Sequence, residues 1–278
     1  MSATHTERWC LASDDTKLFV QRWESSRVPT RADLLVVHGY GEHGGRYREL
    51  AHALVAAGIR TTAVDLRGHG MSEGRRGFVR RFERYLDDIA CVLDELPQQH
   101  RFLLGHSNGG LAALSLVAQR SPTLTGLIVT NPYLALRMAV PRPKIWVAHA
   151  AARLVPTLAL PAGLEASQLT HDEAIQAAWE RDPLIVRTAT AGWWLASRNA
   201  QAEVRALRTL PVPLFYIYSD TDPIALPEAS ATLSAQLDVQ DKTVLVRPGA
   251  LHEVLNEPDR ASLFGAIRDW IVARCATA

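Results

Sequence analysis

Ser107 lies between Gly105 and Gly109 in FLLGHSNGGL, residues 102–111, where a short apolar run gives way at once to helical periodicity. A serine on a sharp strand-to-helix turn is the sequence form of a nucleophile elbow. Such a turn strains the serine backbone and lifts the hydroxyl clear of the sheet. A side chain at Gly105 or Gly109 is expected to collide with the neighbouring strand and helix. The chemistry on offer is nucleophilic attack on an acyl carbon. A lone serine hydroxyl attacks poorly at neutral pH, so it needs a base within hydrogen-bond reach and a carboxylate that fixes the base's tautomer.

Both partners occur further along. The apolar run PLFYIY, residues 213–218, is followed by Ser219, Asp220, Thr221 and Asp222, and the run TVLVR, residues 243–247, by Pro248, Gly249, Ala250, Leu251 and His252. Of the ten histidines, His252 is the best candidate base, because it follows a strand's carboxyl end as Ser107 does. Asp222 is favoured over Asp220 as the acid, since Pro223 and Ile224 return the chain to the fold just after it. Asp220 reads as a turn carboxylate bonding local backbone N–H groups. The developing oxyanion needs two backbone donors. Asn108 offers one at a helix N-terminus, and Tyr40, after the permissive Gly39, offers the other. His38 is an alternative base, though its position suits bracing that loop.

These residues need strand ends that converge. Residues 9–13 and 17–23 alternate about Asp14 and Asp15, as in an edge hairpin. Apolar runs at 34–38, 59–66, 101–104 and 126–130 read as strands, and 46–57, 82–96 and the stretch from Leu111 to Ser121 read as helices between them. The alternation stops at 131 and resumes with the strand 213–218, a helix over 227–237, the strand 243–246 and a helix over 260–274. The expected fold class is α/β, with a mostly parallel, doubly covered sheet. Residues 1–131 and 205–278 form its core, and 132–204, punctuated by prolines, form a helical cap inserted over Ser107.

The 278 residues are 47% hydrophobic, enough for one large core, and a formal charge of +1 argues against a nucleic-acid partner. Three scattered cysteines do not make a disulfide framework. Neither a secretory signal nor an apolar run long enough to span a bilayer is present, so a cytoplasmic protein is expected.

The segments HGYGEHGGRY (38–47), DLRGHGMSEGRRG (65–77), GHSNGG (105–110) and GALHEVLNE (249–257) resemble the monoacylglycerol lipase and lysophospholipase group of the α/β-hydrolases. The resemblance follows the order of the motifs over nearly the whole chain, and RDPLIV (181–186) is similar to the end of that family's cap. It implies a serine hydrolase without cofactor or metal, with Ser107 as nucleophile, Asp222 as acid, His252 as base, and Tyr40 and Asn108 as oxyanion donors. Two positions depart from the family pattern. Asn108 stands where methionine is usual, and its side chain is expected to add a polar group beside the acyl site. Tyr40 stands where a small residue is common.

Four of the seven tryptophans, Trp146, Trp179, Trp193 and Trp194, fall in the cap and are candidate substrate-binding residues. Arg137, Arg142, Lys144 and Arg153 are the only charges between Leu134 and Gly163. An aromatic lid suits an apolar acyl chain, and a basic apolar surface suits peripheral contact with an anionic membrane. Tryptophans at helical spacing also serve simply to pack a small subdomain. The expected function is hydrolysis of a lipid-type carboxylic ester, monoacylglycerol or lysophospholipid. The alternatives are a general carboxylesterase or thioesterase, a proline-type aminopeptidase whose substrate amine meets Glu165, Asp172, Glu173, Glu180 or Asp182, and a non-catalytic binder.

Overall fold

The computed structural model describes residues 3–97, 99–138 and 142–275, with side chains throughout except at 142–145 and 147. The strands are β1 (Ala3–Leu11), β2 (Lys17–Ser25), β3 (Ala32–Val37), β4 (Ile59–Val64), β5 (Arg101–His106), β6 (Gly126–Thr130), β7 (Ala159–Pro161), β8 (Thr188–Thr190), β9 (Leu214–Ser219) and β10 (Lys242–Arg247). The helices are α1 (Arg48–Val55), α2 (Glu83–Asp94), α3 (Asn108–Arg120), α4 (Arg142–Leu154), α5 (Glu173–Arg181), α6 (Ala191–Arg205), α7 (Pro227–Gln236) and α8 (Arg260–Cys275).

Eight strands form one sheet in the order β1-β2-β4-β3-β5-β6-β9-β10. The hairpin β1–β2 is antiparallel and turns about Asp14 and Asp15; every pair from β4 to β10 is parallel. All residues of β3, β5 and β6 are buried, as strands covered on both faces must be. Their period of two divides them between two apolar layers. Leu35, Val37 and Leu103 pack with α2 and α3, while Leu34, Val36, Phe102 and Leu104 pack with α1 and α8.

Strand order reverses at β3. The chain leaves β3 through α1 to β4 on one side, then returns through α2 to β5 on the other. The carboxyl ends of β3 and β5 therefore part into a crevice, the usual place for a ligand in an open α/β sheet. Residues 39–40 leave β3 there, and Ser107 leaves β5.

Some boundaries differ from the sequence expectation. Strand β1 begins at Ala3, well before residue 9, because it pairs through its backbone at an exposed edge and carries little apolar alternation. The helix expected from 46 opens as a 3-10 turn, Gly44–Tyr47, and becomes α-helical at Arg48. Helix α2 stops at Asp94, two residues short of the expected Leu96. The inserted stretch, expected to be helical and irregular, also holds the antiparallel ribbon β7–β8. Helix α6 buries Trp193, Ala196, Ala200 and Val204 in the same apolar layer as α3, so the insertion is rooted in the main core. Two cysteines remote in sequence meet: Cys10 Sγ on β1 lies 3.1 Å from Cys91 Sγ on α2. Among the described residues, no helix is long and apolar enough to cross a membrane.

Candidate active site

Ser107 has φ 51° and ψ −115°, a conformation that side-chain-bearing residues rarely hold and that costs about 1–3 kcal/mol. The turn admits it only because its flanks lack side chains. A Cβ on Gly105 would lie 2.4 Å from the Gly109 carbonyl oxygen at the start of α3, and one on Gly109 would lie 2.2 Å from the Val37 carbonyl oxygen at the end of β3.

His252 Nε2 is 2.9 Å from Ser107 Oγ, and His252 Nδ1 is 2.8 Å from Asp222 Oδ2. The carboxylate accepts from Nδ1–H, which leaves the Nε2 lone pair facing the serine hydroxyl. The second carboxylate oxygen of Asp222 accepts from the N–H groups of Ile224 and Ala225 at 2.8 and 3.0 Å. Asp220 points elsewhere, accepting from Gly249 N–H across the neighbouring turn at 3.0 Å. All three members of the Ser–His–Asp chain are buried. Burial alone would lower the His252 pKa, but the charge and hydrogen bond of Asp222, with Glu253 and Glu42 beyond, raise it above the ordinary histidine value. Burial raises Asp222, and the charge of His252 and its hydrogen bonds outweigh that, so its pKa falls below the usual carboxylate value.

His38 braces the loop. Its Nδ1–H donates to the Gly39 carbonyl at 2.7 Å and its Nε2 accepts from Leu66 N–H at 2.9 Å, so both ring nitrogens are occupied. Burial holds it neutral. Gly39 lies against the elbow, since a Cβ there would be 3.1 Å from Ser107 Cβ. Among the described residues, no backbone carbonyl accepts the N–H of Tyr40 beside it or of Asn108 at the start of α3.

The side chain of Asn108 corrects an expectation. It is fully buried and does not line the cavity over Ser107, with Oδ1 accepting from Trp193 Nε1–H at 3.3 Å. Trp193 also stacks on the Tyr40 ring, centroids 3.6 Å apart.

A cavity of about 600 Å³ opens over Ser107 and His252. Trp179, Trp193 and Trp194 line it, together with aliphatic groups such as Leu158 and Leu160. Trp146 does not: on α4 it is 78% exposed. Nothing in the sequence showed which side of α4 faces the cavity. Arg137 is exposed but held in place, its guanidinium donating to the carbonyls of Thr221 and Asp222 at 2.9 and 2.8 Å. Arg153 is exposed, and the side chains of Arg142 and Lys144 lie outside the described residues. The inserted carboxylates are engaged or remote from the cavity. Asp172 caps α5 and pairs with Arg260, Asp182 pairs with His43, Glu165 caps a short turn, and Glu173 and Glu180 are exposed.

Two further groups carry the site. Asn131, with φ 40°, donates from Nδ2 to the His252 carbonyl at 2.6 Å and accepts Ser219 N–H on Oδ1 at 2.7 Å, joining the base loop to the acid strand. Beside the histidine, Arg46 makes a two-pronged ion pair with Glu253 at 2.6 and 2.7 Å. Burial and the charge of Glu253 push Glu42 up to about 7. Both carboxylates touch the cavity. Nothing in the spacing marks Asn131; the charges of Glu42, Arg46 and Glu253 inside otherwise buried motifs were the available sign.

The chain matches the family described as serine aminopeptidase, S33, over residues 28–259. It is 31% identical over 275 residues to a monoglyceride lipase of Homo sapiens, covering 96% of this chain and 90% of that protein. It is 30% identical to the phospholipase YtpA of Bacillus subtilis (strain 168), covering 88% of this chain and 96% of the other. The crystal structure of a Paleococcus ferrophilus monoacylglycerol lipase superposes with a TM-score of 0.84 at 27% identity, covering 99% of this chain and 100% of that one. An elbow serine at the switch point of a parallel sheet, joined to His252 and Asp222 from later strand ends, is thus found in a chain that belongs to the serine aminopeptidase S33 family of α/β-hydrolases.

Proposed function

We propose that this chain hydrolyses lipid-type carboxylic esters, monoacylglycerol or lysophospholipid, through an acyl-enzyme on Ser107. The observation that carries the reading is the unbroken Ser107–His252–Asp222 hydrogen-bond chain opening on an apolar cavity of about 600 Å³. Ser107 Oγ attacks the ester carbon while its proton passes to His252 Nε2. Asp222 keeps the imidazole oriented and stabilises its cation. The N–H groups of Tyr40 and Asn108 receive the oxyanion. Collapse expels the alcohol, which takes the proton from His252, and water repeats the sequence to release the fatty acid.

The lipid class is supported by the apolar lining and by the names of the relatives, a monoglyceride lipase and a phospholipase. Residues 132–204 act as the cap, with Trp179, Trp193 and Trp194 on the acyl chain. Their apolar outer side, including Trp146, meets the lipid surface. The amine-binding carboxylates that a peptidase requires are not on the cavity wall among the inserted residues. A fluorophosphonate probe should label wild type and not Ser107→Ala. Turnover should favour long-chain monoacylglycerol or lysophospholipid over aminoacyl amides; preference for the amides overturns the reading.

A further inference from the structure

If only their backbone N–H groups serve the oxyanion, the side chains of Tyr40 and Asn108 have no task of their own. Both are nevertheless held, and one partner touches both, while the Tyr40 hydroxyl also donates to the Gly77 and Thr188 carbonyls at 2.9 and 2.8 Å. Trp193, in the first turn of α6, stacks on the Tyr40 ring at 3.6 Å with planes 28° apart and gives its indole N–H to Asn108 Oδ1 at 3.3 Å. A third ring, Tyr133, lies parallel to the indole at 6.0 Å, and its backbone N–H donates to the Ser107 carbonyl at 2.9 Å. The residue is anchored through its backbone: Thr190 Oγ1 accepts the Trp193 main-chain N–H and donates to the Gly77 carbonyl, which also accepts from the Tyr40 hydroxyl at 2.9 Å.

Asn108 is a costly residue for this position. Its Nδ2 is buried without a partner among the described residues, and an amide in that state destabilises a core. The compensating contact is the bond to Trp193. We propose that Trp193 is a positioning residue for the oxyanion hole. Through Asn108 on one side and Tyr40 on the other it sets both N–H donors, so the inserted segment takes part in transition-state stabilisation as well as enclosing the acyl chain. The proposal rests on the serine hydrolase reading given above.

The test is a mutant cycle: wild type, Trp193→Phe, Asn108→Met and the double variant W193F/N108M, each checked for a single cooperative thermal transition well above the assay temperature. The substrate is p-nitrophenyl acetate, whose acyl group is too short to use the far cavity wall, with a long-chain p-nitrophenyl ester in parallel. Each single change should lower kcat on the acetate ~10-fold with KM within about two-fold, as loss of donor alignment acts in the transition state. The double variant should be no worse than either single, since both changes break one bond. Affinity for a short alkyl boronic acid, which forms a tetrahedral adduct on serine, should fall in step with kcat. Multiplicative losses in the double variant, or losses confined to KM for the long ester, overturn the proposal and make Trp193 a cavity wall. Should Asn108→Met fail to fold, Trp193→Phe with the boronic acid decides alone. Ser107→Ala separates the two levels: if it stays active the hydrolase reading fails, whereas an inactive Ser107→Ala with an additive cycle sinks only the role of Trp193.

Discussion

In the proposed mechanism His252 takes the serine proton only when neutral, and Asp222 is the main influence raising its pKa against burial. Hydrolysis should therefore fall on acidification as His252 takes up a proton. Asp222→Asn removes the raising charge and leaves burial, so the acidic limb of kcat/KM should move to lower pH while kcat drops ~10³–10⁴-fold. Asp220→Asn should change kcat by only a few-fold, because that carboxylate holds the Gly249 N–H at the rim. If Asp220→Asn proves the more damaging, the acid assignment is wrong. Glu42, pushed up to about 7, is one of the charges that raise His252 when it is ionised. Glu42→Gln should shift the limb down and reduce it to a single titration, read from the slope of the log plot. Ser107, Asp222 and His252 were legible as candidates because each follows an apolar run that reads as a strand. Asn131 was not, since its partners Ser219 and His252 come from elements that only the strand order brings beside it.

At the scale of elements, the elbow depends on contact between backbones. Gly109→Ala would drive a methyl into the Val37 carbonyl, where no side chain can give way, and separate α3 from β3. It should prevent folding or lower stability by more than ~3 kcal/mol in a urea titration. Gly249→Ala, at φ 72° but with open space around it, should cost only ~1 kcal/mol. Comparable losses at the two sites would mean that collision with β3 is not what requires glycine at 109. A different link ties the edge hairpin to α2. Cys10 and Cys91 lie 81 positions apart with their sulfurs 3.1 Å apart, so treatment with a disulfide oxidant should lower the mass by ~2 Da and close a loop worth on the order of 4 kcal/mol. Retention of both free thiols after oxidation argues against it. Composition placed the cysteines as scattered, because pairing across β1 and α2 has no local signature. The parallel sheet was legible from its continuous apolar runs, whereas β1 and the ribbon β7–β8, with little buried surface, left almost no pattern.

The molecule as a whole has a formal charge of only +1, so any attraction to an anionic surface must be local. The sequence suggested a local source in Arg137, Arg142, Lys144 and Arg153 acting together. Arg137 keeps its charge but is fixed on the carbonyls of Thr221 and Asp222, so replacing it would also disturb the turn that carries Asp222. The inserted segment also exposes apolar groups: Trp146 and Leu154 on α4 are 78% and 81% exposed, with Met138 and Leu160 also open to solvent. A free apolar side chain contributes ~1.5–3 kcal/mol when removed from water, more than one cation at ~1 kcal/mol near an anionic surface. Contact with lipid should then depend on Trp146 and Leu154 first and on charge second. The double variant W146Q/L154Q should bind phosphatidylcholine vesicles at least ~10-fold more weakly than wild type. Its turnover of vesicle-borne monoacylglycerol should fall accordingly, while p-nitrophenyl acetate, which needs no surface, stays within a few-fold. Raising salt should change wild-type binding to neutral vesicles little, since screening acts on charges and not on apolar burial. Full vesicle binding by W146Q/L154Q would show that this side of α4 is not the docking surface. Wild-type binding that needs anionic lipid and collapses in salt would return the weight to the cations.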